Sequence, residues 1–279
     1  MPVGKTVETR LRRRSSNFIP MKTLRLLVLA ALALQLAACA QTNVPGTNAA
    51  AIVAVPHVNA GLIPAKHKGK RTDEVIRRAK DAPGNYDIEF IGDSITHFWE
   101  TPAPKGGQSV WDEFYGHRKA INFGVSGDRT EHVLWRFENG QLDGIKAKVA
   151  IVMIGTNNSG KNKDGTDAYT DTDILEGVVA IINQIRTRQP DTRILLLGIF
   201  PRGKAFSPQR GRLCEINQVL AKLADGKNIF YQDFGSQYVE LDGSISKDIM
   251  PDALHPNEAG YKIWANAIEP KLKELLGGK

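Results

Sequence analysis

A chain of 279 residues, 42% of them apolar, has material for one domain with a large core beside a terminal extension. Its net charge of +7 would suit a polyanionic partner, but residues 1–38 hold seven of the bases and a single acid. What remains has 30 bases against 29 acids, which removes the support for nucleic acid, and with Cys39 modified as argued below Cys214 has no disulfide partner.

The first segment reads as an export signal. Met21-Lys-Thr-Leu-Arg25 is basic, residues 26–36 are apolar but too short to span a bilayer comfortably, and Leu36-Ala-Ala-Cys39 follows. This pattern resembles the lipobox of bacterial lipoproteins, in which the cysteine is lipidated and becomes the new N-terminus. The expectation is a signal over 1–38, with Met21 an alternative start, and Cys39 as the lipidation site. A plain secretory signal is the alternative; the residues after Arg12-Arg-Arg14 do not suit a twin-arginine signal. The implied location is the bacterial cell envelope, lipid-anchored (outer membrane or periplasm in a Gram-negative host), or else secretion. Residues 39–65, rich in Ala, Asn, Thr, Val and Pro, read as a flexible tether, and 66–279 as the globular domain.

Within that domain apolar runs alternate with helical periods. The patterns predict strands at 86–91, 120–123, 149–154, 193–199 and 228–231, and helices at 72–80, 130–139, 172–188, 208–224 and 257–276. Alternation of this kind gives an α/β fold whose parallel sheet is covered on both faces. Right-handed crossovers place the carboxyl ends of the strands on one edge, where such sheets bind ligands. Cys214 falls in the 208–224 period and is expected to be a small buried hydrophobe.

Polar clusters sit just beyond four of the strands. Gly92-Asp-Ser94 follows the first, Asn122-Phe-Gly-Val-Ser-Gly127 the second, Gly155-Thr-Asn157 the third, and Asp252-Ala-Leu-His255 comes after the fifth. Each has an ordinary explanation as a turn or cap; all four on one rim have a chemical one. Serine needs a neighbouring base to become a nucleophile. His255 is such a base, and Asp252, three residues earlier, can fix its tautomer. An attacked ester carbonyl needs several fixed donors, and the N–H groups of Ser94 and Gly127 with the amide of Asn157 would supply three. No Gly-x-Ser-x-Gly, His-Glu-x-x-His, Cys-x-x-Cys or Walker A pattern occurs, so no metal or cofactor is expected. His97, His117 and His132 are expected in surface or structural roles, and the tryptophans in the core or a pocket wall.

These four blocks resemble those of the SGNH (GDSL) hydrolases. The run from Asn122 to Gly140, with Gly198-Ile-Phe-Pro-Arg202 and Pro251-Asp-x-x-His255, is similar to the catalytic subunits of intracellular platelet-activating-factor acetylhydrolases and their bacterial relatives. The resemblance implies a flavodoxin-like three-layer α/β/α sandwich with a five-stranded parallel sheet. It also implies an esterase with Ser94, Asp252 and His255 catalytic, Ser94, Gly127 and Asn157 as oxyanion hole, and no cofactor. The expected partners are a small acyl ester, an acetylated glycan being one such substrate, and a membrane through the N-terminal lipid. A lysophospholipase or thioesterase of the same fold is the alternative enzyme; a carbohydrate-binding lipoprotein is the non-catalytic one. The loop over 158–173 departs most from the resemblance.

Overall fold

The structure is a computed structural model and describes residues 58–278; the signal segment, Cys39 and most of the tether lie outside the described residues. Helix α1 (Lys70–Asp81) leads into strand β1 (Gly84–Gly92), which runs directly into the one-turn helix α2 (Ser94–His97). There follow α3 (Gln108–Phe114), β2 (Ala120–Gly124), α4 (Thr130–Glu138), β3 (Ile145–Met153), α5 (Asp171–Arg188), β4 (Arg193–Leu197), α6 (Pro208–Leu220), β5 (Ile229–Gln232) and α7 (Glu258–Leu275). All strands pair in parallel, in the order β2-β1-β3-β4-β5. This is the flavodoxin-like order, in which the direction of winding reverses between β1 and β3.

The strands are β-branched and apolar because both faces are covered. Ile88, Phe90, Val149 and Ile151 face α3 and α7, where Trp99, Tyr115, Tyr261 and Trp264 are wholly buried. Ile91, Ala150, Val152, Ile194 and Leu196 face α4, α5 and α6 through Val133, Phe137, Ile181 and Leu213. A third cluster packs α1 through Val75 and Ala79 against Ile121 and Phe123 of β2. The result is the three-layer sandwich expected.

Two expectations need correction. The tether does not extend to residue 65: Ala60–Leu62 form a turn of 3-10 helix docked on the domain. Asn59 caps it through Gly61 N–H and reaches the Asp173 carbonyl and the Glu176 carboxylate, while the Thr130 hydroxyl donates to the Gly61 carbonyl at 3.1 Å. Those contacts use backbone and one amide side chain, so the bland composition conceals them. Cys214 is exposed rather than buried; the inward stripe of α6 is Leu213, Ile216 and Leu220, and Cys214 lies about 100° off it. Helix α3, which the sequence pattern did not predict, contributes a single buried residue, Val110, too little to show a period.

Candidate active site

The carboxyl edge of the sheet gathers the four polar clusters. Gly92 closes β1 where a Cβ would lie 2.2 Å from Thr96 Oγ1 and 2.5 Å from the Met153 carbonyl, so only glycine lets the chain turn there without displacing α2 or β3. Asp93 caps that turn, its Oδ1 accepting the Ile95 N–H at 2.9 Å. Burial pushes its carboxyl up to about 7, with the charge of Asp128 acting in the same direction. Asn122 ties the second cluster to the first: its amide donates to the Thr96 carbonyl at 3.0 Å and its oxygen accepts from Gly124 N–H at 2.8 Å.

Ser94 Oγ lies 2.9 Å from His255 Nε2, and His255 Nδ1 lies 2.6 Å from Asp252 Oδ2. The other oxygen of Asp252 accepts the N–H groups of Leu254 and His255 at 3.0 and 2.8 Å. Between them Ala253 has φ of 56°, a left-handed turn that lets the carboxylate fold back onto its own histidine. The Gly203 N–H holds that turn by donating to the Ala253 carbonyl at 2.8 Å. Partial burial would raise the Asp252 carboxyl, but the hydrogen bonds from the His255 N–H and ring outweigh it and hold the group below its ordinary value. Phe98 packs on the imidazole, with ring centroids 5.0 Å apart. Serine, histidine and aspartate thus form one hydrogen-bonded chain.

The three expected donors follow the carboxyl ends of β1, β2 and β3. Among the described residues, the N–H groups of Ser94 and Gly127 donate to no acceptor, which leaves both available to an incoming oxyanion. Asn157 donates one amide hydrogen to the Asp128 carbonyl at 2.8 Å, which orients the amide and leaves its second hydrogen free. Asn158, beside it, joins the third cluster to the start of α4 through Thr130 N–H, the Thr130 hydroxyl and Glu131. Arg202 donates to the carbonyl and hydroxyl of Thr156 at 2.9 and 3.2 Å and brings its charge near Asp93 and Asp252.

The sequence reading did not single out His67 or Asp128. His67 Nδ1 lies 2.8 Å from Asp128 Oδ1, and its ring stacks on His132 at 4.7 Å. That hydrogen bond raises the pKa of the imidazole above its ordinary value against opposing burial. Three such side chains suggest a metal site, but the donors are committed elsewhere. His132 Nδ1 accepts the Arg129 N–H at 3.0 Å, Asp128 Oδ2 accepts from Arg136, and two guanidinium groups adjoin. The set does not fit a resident cation. His97 bonds to Ser126 of the second cluster at 2.9 Å. Trp99 and Trp264 are wholly buried.

A cavity of about 610 Å³ lies off the ends of β4 and β5, lined by Ile199, Pro201, Phe206, Leu213, Cys214 and Val239 among others. None of the four clusters contributes Ser94, Gly127, Asn157 or His255 to its wall.

Comparison with known proteins identifies the family. Residues 90–263 match the GDSL-like Lipase/Acylhydrolase family. The platelet-activating factor acetylhydrolase IB subunit alpha2 of Rattus norvegicus is 35% identical over 191 residues, covering 68% of this chain and 77% of the relative. Subunit alpha1 from Homo sapiens gives the same identity and coverage. Among solved structures, a GDSL-like lipase from Bacteroides thetaiotaomicron superposes with a TM-score of 0.58 at 16% identity, over 74% of this chain and 98% of that one. At that identity the likeness bears on fold.

Proposed function

The chain belongs to the GDSL-like lipase/acylhydrolase family and is a carboxylic ester hydrolase; from that premise we propose that it removes a short acyl group, acetyl foremost, through an acyl-enzyme on Ser94. The observation that carries this is the unbroken hydrogen-bonded chain from Ser94 Oγ through His255 to Asp252. In the proposed mechanism His255 Nε2 takes the hydroxyl proton as Oγ attacks the ester carbonyl. Asp252 keeps the Nδ1 proton in place and stabilises the imidazolium. The tetrahedral oxyanion is met by the N–H groups of Ser94 and Gly127 and the free amide hydrogen of Asn157. Collapse breaks the ester C–O bond, and His255 returns the proton to the departing alcohol. Water then repeats the sequence on the acyl-enzyme, with His255 again as base, and releases the acid.

Two observations support a short acyl group. The relatives at 35% identity carry acetylhydrolase in their names, and the apolar cavity is walled by residues other than the site's own. The proposal extends to location: residues 21–39 carry the lipoprotein pattern, so the enzyme would act from the envelope of its bacterial host on envelope or nutrient-derived esters, acetylated glycans among them. A fluorophosphonate probe tests the chemistry. It should label the wild type and not a folded Ser94→Ala variant, whose kcat should fall by about 10⁶-fold; labelling that survives the change places the nucleophile elsewhere. Radioactive palmitate, incorporated by the wild type and not by Cys39→Ser, tests the anchor.

A further inference from the structure

His67 reaches the site from a segment that precedes α1 and lies outside the family match, which begins at residue 90. Three contacts show what it does there. Its Nδ1 is bonded to Asp128 Oδ1 at 2.8 Å. Its ring occupies the space a side chain at 127 would fill: a Cβ added to Gly127, whose φ is +84°, would come within 2.8 Å of His67 Cε1. The ring also stacks on His132, itself fixed by the Arg129 N–H.

Asp128 is the hub. Arg136 Nε donates to its second oxygen at 2.8 Å, and both side chains are 0% exposed, so the carboxylate has no freedom to swing. Its backbone carbonyl is the acceptor that orients Asn157. One residue therefore joins His67 on one side to the Asn157 amide on the other, and its own peptide nitrogen is bonded to the Gly127 carbonyl carbon.

We propose that His67 is a positioning residue of the oxyanion hole: bonded to Asp128 and packed on Gly127, it fixes the Gly127 N–H and, through Asp128, the Asn157 amide. The physical need is plain. Gly127 is exposed at the rim and has the widest backbone freedom of any residue, whereas an oxyanion donor must stand at about 2.7–3.1 Å from a developing charge. A glycine there permits the positive φ and the substrate's approach; the imidazole supplies from outside the restraint that glycine lacks.

The inference rests on the oxyanion-hole reading, and its test keeps the two apart. His67→Ala should lower kcat by about 10- to 100-fold, the size expected when reacting groups are misplaced by an ångström or less, with KM little changed. His67→Asn, whose amide can still donate to Asp128, should recover most of that loss. Rates are normalised to active enzyme by fluorophosphonate titration, so a loss of folded protein does not count. Should His67→Ala fail to fold, His67→Leu replaces it: Leu fills space without a donor, and its kcat should fall below that of the Asn variant. Equal rates for those two overturn the proposal. So does a His67→Ala enzyme with lower melting temperature but wild-type kcat, the mark of a merely structural contact. Asn157→Ala is assayed in parallel. If it is slow while His67→Ala is normal, only the role of His67 falls; if both are normal, the oxyanion-hole assignment falls with it.

Discussion

The two sides of the site are built differently. On the base side, Asp252 and His255 occupy a loop between β5 and α7, their side chains 56% and 25% exposed, and the turn is held by hydrogen bonds within four residues and one from the Gly203 N–H. On the side of the proposed oxyanion donors, Asn122, Asp128 and Asn158 are all buried, and each bonds to a different segment of the chain. A proton carrier tolerates a loop, because two hydrogen bonds aim it. The oxyanion donors must be ready before the charge appears, since donors that reorganise during the reaction lose their advantage. In the proposed mechanism the buried network supplies that readiness.

Breaking the comparison means finding a base-side change that destabilises or an oxyanion-side change that does not. Among changes to the groups around Ser94, Asp252→Asn should have the largest effect on rate, about 10⁴-fold in kcat, because the amide favours the wrong histidine tautomer. Its melting temperature should stay near that of the wild type, since the group is mostly in water; a marked fall would show that the turn is structural. Asp128→Asn should do the reverse. It leaves the Arg136 guanidinium buried without its counter-charge, a loss of about 3–5 kcal/mol in stability visible in urea unfolding. Unchanged stability would contradict the buried pair. Asn157→Ala comes next, lowering kcat and kcat/KM together by about 10²–10³ with KM nearly constant. If its amide only holds the Asp128 carbonyl, the variant should instead melt earlier and keep most of its rate.

The same contrast explains what was legible in the sequence. Every strand was placed to within a few residues, because parallel strands buried on both faces are written as unbroken apolar runs. Ser94, Gly127, Asn157, Asp252 and His255 stand out as candidates because each belongs to a short local pattern just past a strand or before a helix. The hub of the oxyanion side does not. Arg136 lies in a helix among Glu131, His132 and Glu138, where a charge ordinarily faces solvent, and nothing in the spacing shows that it is wholly buried on Asp128. His67 stands two residues past the expected tether and before the first predicted helix, in no periodic pattern, and its partner is 61 positions away. Contacts between distant polar residues leave no period to read.

The smallest effect concerns the strand that delivers the nucleophile. Glu89 sits in the middle of β1, wholly buried, with neither carboxylate oxygen in hydrogen-bond geometry with a described partner. Burial pushes its carboxyl up to about 8; Gln189, the polar neighbour pulling the other way, does not undo this. The folded pKa is therefore raised above the unfolded one, so the folded protein keeps a proton that the unfolded chain has given up. The stability this represents is fully present below about pH 4.5 and is lost as pH rises through about 8. Glu89→Gln removes the titration while keeping the shape. Asp93, also raised by burial, is present in both proteins and cancels in their difference. Between pH 7 and pH 9 the stability of the variant relative to wild type should grow by about 1 kcal/mol, or about 2–4 °C in melting temperature for a domain of this size. Parallel melting curves across that range would mean that Glu89 is ionised in the fold, and that β1 brings a buried charge, rather than a neutral acid, to the turn before Ser94.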